Sequence, residues 1–398
     1  MIRNVIRYLG LACLVATHSG AAANETPFLE QATNLDRLID SKNRRIQALE
    51  QEVLRLRQSC DDRRDKVPAS PAKAKPPRRS DSATVCYRGC KFRDLGKAVK
   101  AAQAGDTITV APEINGSCAV IRKPLRLVGL KDAAGNRAHL AGGVCMGKGP
   151  LVVKSHDVTI EGFEISEVSV GGKNGACIRL DPEARDVVVR DIYCHDSQQG
   201  MLGTIKGQLL IEDSRFENNG FNRGQSHGLY LLGDSAVVRR TAVVSTRHSG
   251  HSLKIGVQDF LLEDSIIAAL SSRNSRALDN FTGGTVVMRR NIIQQGPNSE
   301  NSEVLGIALE PKRLKPAGHS LTLEDNWIIY DDPERNNTQL ISGKKFGPWK
   351  MRGNRIVGIR KPAERIDESI NDIWYDDRMA AGLPAWDGTL ATLPKPGE

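Results

Sequence analysis

Short apolar stretches with period two recur along most of the chain. Nine of them share one pattern: alternating apolar residues closed by a charged residue or glycine. They are Leu125–Gly129, Val158–Gly162, Val187–Asp191, Leu209–Asp213, Ala236–Arg240, Phe260–Asp264, Val286–Arg290, Leu321–Asp325 and Trp349–Gly353. Their third residues fall at 127, 160, 189, 211, 238, 262, 288, 323 and 351, so successive units are 22 to 35 residues apart. In the later eight, another apolar position follows within three residues (Ile165, Cys194, Phe216, Val243, Ile267, Ile293, Ile328, Ile356). A second strand pattern precedes several units, at Gly149–Val153, Ala176–Leu180, His227–Leu231 and His251–Ile255. An apolar period of two excludes helical repeats, and short strands recurring at this spacing predict a stacked-coil solenoid.

The flanks follow other patterns. Leu95, Ala98, Val99, Ala101 and Ala102 make one apolar face of a short helix ended by Gly105, ahead of a strand at 106–110. Such a helix covers the open first edge of a stack. Residues 28–60 follow a heptad with Ala32, Ile39, Ile46, Val53 and Cys60 at a, and Phe28, Leu35, Lys42, Leu49 and Leu56 at d. β-Branched a and Leu d positions favour a parallel coiled-coil dimer, with a trimer or a lone amphipathic helix as alternatives. Cys60 at an a position then predicts an interchain disulfide. Residues 61–83 hold Pro68, Pro71, Pro76 and Pro77 among basic and small residues and read as a semi-extended linker. At the N-terminus, Arg3 and Arg7 precede the apolar run 9–16 and Ala21–Ala23, the pattern of a cleaved export signal over 1–23. Residues 361–398 carry four prolines and no repeat, and read as an irregular tail.

The ordered domains are thus a signal (1–23), a coiled-coil helix (24–60), a linker (61–83), a solenoid of about nine coils (84–360) and the tail. The repeats and the leading cap (Asp94–Val99 through Ala104–Ile108) resemble the right-handed parallel β-helix superfamily. That superfamily includes pectate lyases and many exported polysaccharide lyases, epimerases and hydrolases. The resemblance implies an all-β, pectate-lyase-like solenoid, and a superfamily in which lysine or arginine often serves as the base. It does not imply an activity by itself.

Composition narrows the picture further. Aromatics are 5% and glycines number 37, which suits stacked strands better than a core of bulky side chains. The formal charge of +9 becomes about +7 without Arg3 and Arg7, so acidic partners such as uronate polysaccharides are favoured. Nucleic acid is disfavoured by the export signal and the scarcity of aromatic platforms. No later stretch has the roughly 18 apolar residues of a spanning helix. Export makes disulfides the default for Cys86, Cys90, Cys118, Cys145, Cys177 and Cys194, with connectivity left open. Asp191, Asp213, Asp264 and Asp325 recur at one turn position, where hydrogen bonding to turn backbone is expected. Calcium is the alternative for these acids, although no calcium-loop motif is present.

The candidate chemistry lies at Ser226–Ile255. His227 and His251 are 24 residues apart, as are Tyr230 and Lys254. With Leu229, Leu231, Leu253 and Ile255 inward, Tyr230 and Lys254 point outward on neighbouring coils. If Leu278 is inward, Asp279 joins this column; a one-residue slip substitutes Asn280. The preceding coil offers Arg179, and the turns add Arg223, Arg247, His248, Arg273 and Arg276. A base, cations facing carboxylates and an acid are what β-elimination or C5 epimerisation of a uronate requires. Lys254 is the expected base, its pKa lowered by neighbouring cations. Tyr230 or His227 is the expected acid, and the arginines the substrate clamps. Two other readings compete. One is a glycoside hydrolase using Asp279 and Glu310; the other is an oligomeric envelope protein that binds polysaccharide without turnover.

Overall fold

The computed structural model describes residues 84–221, 224–313, 319–343, 348–363 and 366–396. The expected signal, coiled coil, linker and Cys60 lie outside the described residues, as does Arg223. Among the described residues no helix is long and apolar enough to cross a membrane.

The repeats close into coils that contribute strands to three parallel ladders. The first ladder includes Ala176–Leu180, residues 199–205, 229–233 and 253–257, Leu278–Asn280, Glu303–Ile307 and Gln339–Gly343. The second follows each of these and holds the nine apolar segments read from sequence. Their third residues stack in register from Leu127 and Ile160 to Leu323 and Met351, all at most 2% exposed. The third ladder has ten strands among the described residues, from Ala138–Ala141 to Ile373–Tyr375. The chain is a parallel β-helix. Its inward residues pack against those of the coils above and below, so the core is one continuous column of Val, Ile and Leu.

The corner between the second and third ladders explains the recurring acids. Gly162, Asp191, Asp213, Arg240, Asp264, Arg290, Asp325 and Gly353 all sit there with φ between +46° and +81°. This left-handed turn suits Gly and Asp. The Asp213 and Asp264 carboxylates pair with Arg240 and Arg290. Just beyond, buried polar side chains cross-link the coils: Asn291 Oδ1 accepts the Ser265 N–H, Asn326 Oδ1 the Asn291 N–H and Asn354 Oδ1 the Asn326 N–H.

The helix Leu95–Ala101 caps the first coils, its N-terminus closed by the Asp94 side chain accepting from the Lys97 N–H. The six cysteines pair as Cys86–Cys90, Cys118–Cys145 and Cys177–Cys194, the last wholly buried.

The structure differs from the expected boundary near 360. Strands Lys361–Ala363, Glu368–Ile370 and Ile373–Tyr375 add another coil where an irregular tail was expected. Ladder hydrogen bonds hold this coil while Ile370, Ile373 and Trp374 stay 39–48% exposed. Without a coil beyond it, no inward apolar alternation is imposed, and the sequence carries none. Residues 376–396 are irregular apart from a short turn of 3₁₀-helix. Arg378 anchors them through a bidentate pair with Asp331.

Candidate active site on the first ladder

The first ladder runs in register with Leu229, Leu253 and Leu278 buried, which turns their successors outward. The outer column therefore reads Arg179, Leu202, Tyr230, Lys254, Asp279, Gly306 and Ser342 on successive coils. Tyr230, Lys254 and Asp279 are adjacent, and the one-residue slip to Asn280 does not occur. Arg179 is two coils below Tyr230, not one, because the coil at 199–205 intervenes and places Leu202 in the column.

Asp279 is the hub. It is 4% exposed, and its Oδ2 accepts from Lys254 Nζ at 2.9 Å and lies 3.2 Å from His251 Nε2. Its Oδ1 is buried and has no hydrogen-bond partner among the described residues. Glycine at 306 makes room: a Cβ there would lie 3.2 Å from this Oδ1 and 3.1 Å from Arg276 Cδ. Glu310 Oε1 also accepts from Lys254 Nζ, at 3.0 Å, and the ammonium stands 4.6 Å from the Phe281 ring centroid.

The two histidines stack with ring centroids 5.3 Å apart, and the Tyr230 ring meets His227 edge-on at 5.1 Å. Their tautomers are set by the backbone. His227 Nδ1 accepts the His251 N–H and His251 Nδ1 accepts the Arg276 N–H, so the proton of each neutral ring sits on Nε2. Burial, reinforced by Lys254 and Arg276, pushes the His251 pKa down to about 3. Burial also lowers His227 well below its ordinary value, with His251 and Lys254 adding to it. Both rings are neutral near pH 7. Each uses its Nδ1 lone pair on a backbone N–H, which leaves neither free as a ready base.

Lys254 departs from the sequence expectation. Burial favours the free amine, but the charges and hydrogen bonds of Asp279 and Glu310 outweigh it and hold the pKa above the ordinary lysine value. The expected lowering assumed that cations dominate its surroundings; two carboxylates brought in from the next coils do so instead.

The expected clamp residues divide. Arg276 adjoins the cluster through its backbone, while its guanidinium pairs with Glu303 at 3.0 Å. Arg247, His248 and Arg273 line a separate cavity of about 850 Å³ on the turns entering the first ladder. There Arg247 reaches Asp196 at 3.1 Å and Arg273 reaches Glu300 at 2.6 Å. Phe281 and Glu303 were missed from sequence. Phe281 had a visible signal, an aromatic directly after a strand in an aromatic-poor chain; Glu303 had none.

Neither a protein-family model nor a curated protein matches the sequence. Among solved structures, an alginate lyase from Paenibacillus sp. str. FPU-7 superposes with a TM-score of 0.52 at 17% identity, over 70% of this chain and 96% of that one. A mannuronan C-5 epimerase A-module from Azotobacter vinelandii aligns over 70% of this chain and 93% of that one, at 13% identity and a TM-score of 0.34. A second such A-module aligns over 69% and 92%, at 15% identity and 0.31.

The fold is a right-handed parallel β-helix. In this β-helix the cluster occupies the outward column of the first ladder, yet Lys254, His251 and Asp279 keep only 12%, 12% and 6% of their side chains exposed. Chemically it offers a cation of fixed position, a tyrosine on the adjacent coil, and two neutral histidines that orient rather than titrate.

Proposed function

We propose that the protein is an exported carbohydrate-active enzyme performing β-elimination or C5 epimerisation on an acidic, uronate-containing polysaccharide. The observation that supports it best is the largely buried Lys254 ammonium, held on the outward column one coil from Tyr230 by Asp279 and Glu310. In β-elimination the C5 proton leaves, charge develops on the uronate carboxylate, and the C4–oxygen bond breaks as its oxygen takes a proton. Lys254, kept protonated, suits the second half: it faces the developing charge and donates to the leaving oxygen. The C5 proton then goes to Tyr230 acting as a phenolate, its own O–H proton having been released to solvent before the sugar reacts. This reverses the roles expected from sequence, where Lys254 is the base. His251 orients Asp279, Asp279 holds Lys254, and Arg179 and Arg276 flank the column. Epimerisation shares the first proton transfer and returns a proton to the opposite face of C5.

The hydrolase reading has less support. Asp279 and Glu310 grip one ammonium, so their nearest oxygens are within about 6 Å, too close for an inverting pair. Asp279 is also too buried to reach a sugar. The shared fold with an alginate lyase makes alginate the first polymer to test. Incubation with alginate, pectate, hyaluronan and heparinoids, with and without calcium, is expected to generate the ultraviolet absorbance of unsaturated uronates or NMR-detected inversion at C5. Polymer binding without either product would instead establish the binding protein.

Export is supported by the three disulfides, which belong to an oxidising compartment. Dimerisation through 28–60 with a Cys60–Cys60 bond is part of the proposal. A non-reducing gel is expected to show a dimer that Cys60→Ser converts to monomer, and an unchanged band would sink it.

A further inference from the structure

A second cluster lies on the third ladder, among residues that the proposed chemistry does not use. His139 and Glu164 are paired in register on adjacent coils, and His195 comes from the coil after them. All three are partly exposed, with side-chain accessibilities of 30%, 28% and 18%. Glu164 Oε1 lies 3.2 Å from His195 Nε2 and 3.8 Å from His139 Nε2, and one ligand atom from each residue falls within 4.8 Å of the others. Ligand atoms held tetrahedrally about 2.1 Å from a zinc ion are about 3.4 Å apart, a separation that lies between the 3.2 and 3.8 Å seen here.

Donor accounting points the same way. His195 Nδ1 lies 2.9 Å from Asp196 Oδ2, while its Nε2 faces Glu164. A neutral imidazole has one N–H for these two carboxylates, so a lone pair faces an anion unless a positive charge intervenes. A ligating histidine whose other nitrogen donates to a carboxylate is the usual second-shell arrangement around a metal. The Tyr193 ring, stacked 4.4 Å from His195, holds the imidazole plane. Ser166 Oγ lies 2.7 Å from His139 Nε2, a hydrogen bond that a bound ion would have to displace.

We propose that His139, Glu164 and His195 bind a divalent transition-metal ion of the zinc class, joining three successive coils from outside. The coils concerned lie close to those already tied by Cys118–Cys145 and Cys177–Cys194. A metal there would reinforce the first part of the β-helix, and the proposal does not depend on any saccharide activity.

The test is calorimetric titration of zinc chloride into the metal-stripped full-length protein, repeated with cobalt to read the ligand-field spectrum. Wild type is expected to bind one ion, with affinity at least a hundredfold weaker in Glu164→Gln and in His139→Ala. Asp196→Asn is expected to weaken binding about 10–100-fold. Circular dichroism checks that each variant is folded, and the exposed His156→Ala should bind as wild type. Absence of zinc binding, or equal binding by wild type and the near-isosteric Glu164→Gln, overturns the proposal. The cluster is then a hydrogen-bonded stack of side chains on the third ladder and nothing more.

Discussion

Two outward columns of charge run along this β-helix, and they are built on opposite principles. On the second ladder, Glu161, Arg190, Glu212, Arg239, Glu263, Arg289, Glu324 and Arg352 alternate in register over eight coils. Glu212 meets Arg190, Arg239 and Arg240, which outweigh burial and hold its pKa below the ordinary value, and Glu263 meets Arg289 and Arg290. The first-ladder column has no such alternation. One lysine is shared by two acids, a buried carboxylate oxygen lacks a partner, and two neutral histidines are stacked alongside. A periodic column satisfies itself and needs no ligand. Where the period breaks and charges are buried in unequal numbers, the column does not satisfy itself, and that is where the proposed chemistry is placed.

This contrast can be broken or sharpened by experiment. The largest effect is expected from Lys254→Met, which should lower product formation on the responsive polymer about 10²–10⁴-fold without loss of fold. Retained turnover would make the two columns equivalent. Asp279→Asn comes next. Cutting a buried pair typically costs about 3–5 kcal/mol, so a marked drop in the urea midpoint is expected. Arg289→Met on the periodic column should cost less than about 1 kcal/mol, because Arg289 is 39% exposed and its pair is screened by solvent.

The pH dependence separates the columns too. The folded His251 pKa of about 3 lies below its ordinary 6.5, so the unfolded chain binds more protons between these values. The stability contributed by neutral His251 is present above about pH 6.5 and is lost as pH falls toward 3. His251→Gln should flatten that part of the urea-midpoint profile, and an unchanged profile would remove the buried histidine from the account. A smaller effect is expected from Gly306→Ala, whose Cβ would press on Leu309, Arg276 and Asp279. It should reduce activity more than stability; the reverse would make Gly306 a packing residue alone.

Much of the fold was legible because its rule is local. Period-two alternation and a repeat in the twenties are enough to specify stacked strands, and register then followed for Tyr230 and Lys254, while the choice between Asp279 and Asn280 waited for the structure. The alternating Glu and Arg at the fourth position of the second-ladder segments went unread in the sequence and emerged from the strand register. The extra coil at 361–375 was not legible, because a terminal coil needs no inward apolar alternation. Nor was the Lys254 environment. Asp279 and Glu310 are 25 and 56 residues away in sequence, and only the coil path decides that both reach its ammonium.

By itself, then, the sequence determined the repeating backbone, the inward and outward faces, and which residue types stand in the outer column. Tertiary structure alone decided the protonation of that column, the separation of Arg247, His248 and Arg273 into another cavity, and the meeting of His139, Glu164 and His195. The reason is physical. Strand direction depends on neighbours one and two residues away, whereas charge state depends on burial and on whatever groups the stacked coils bring within a few ångströms.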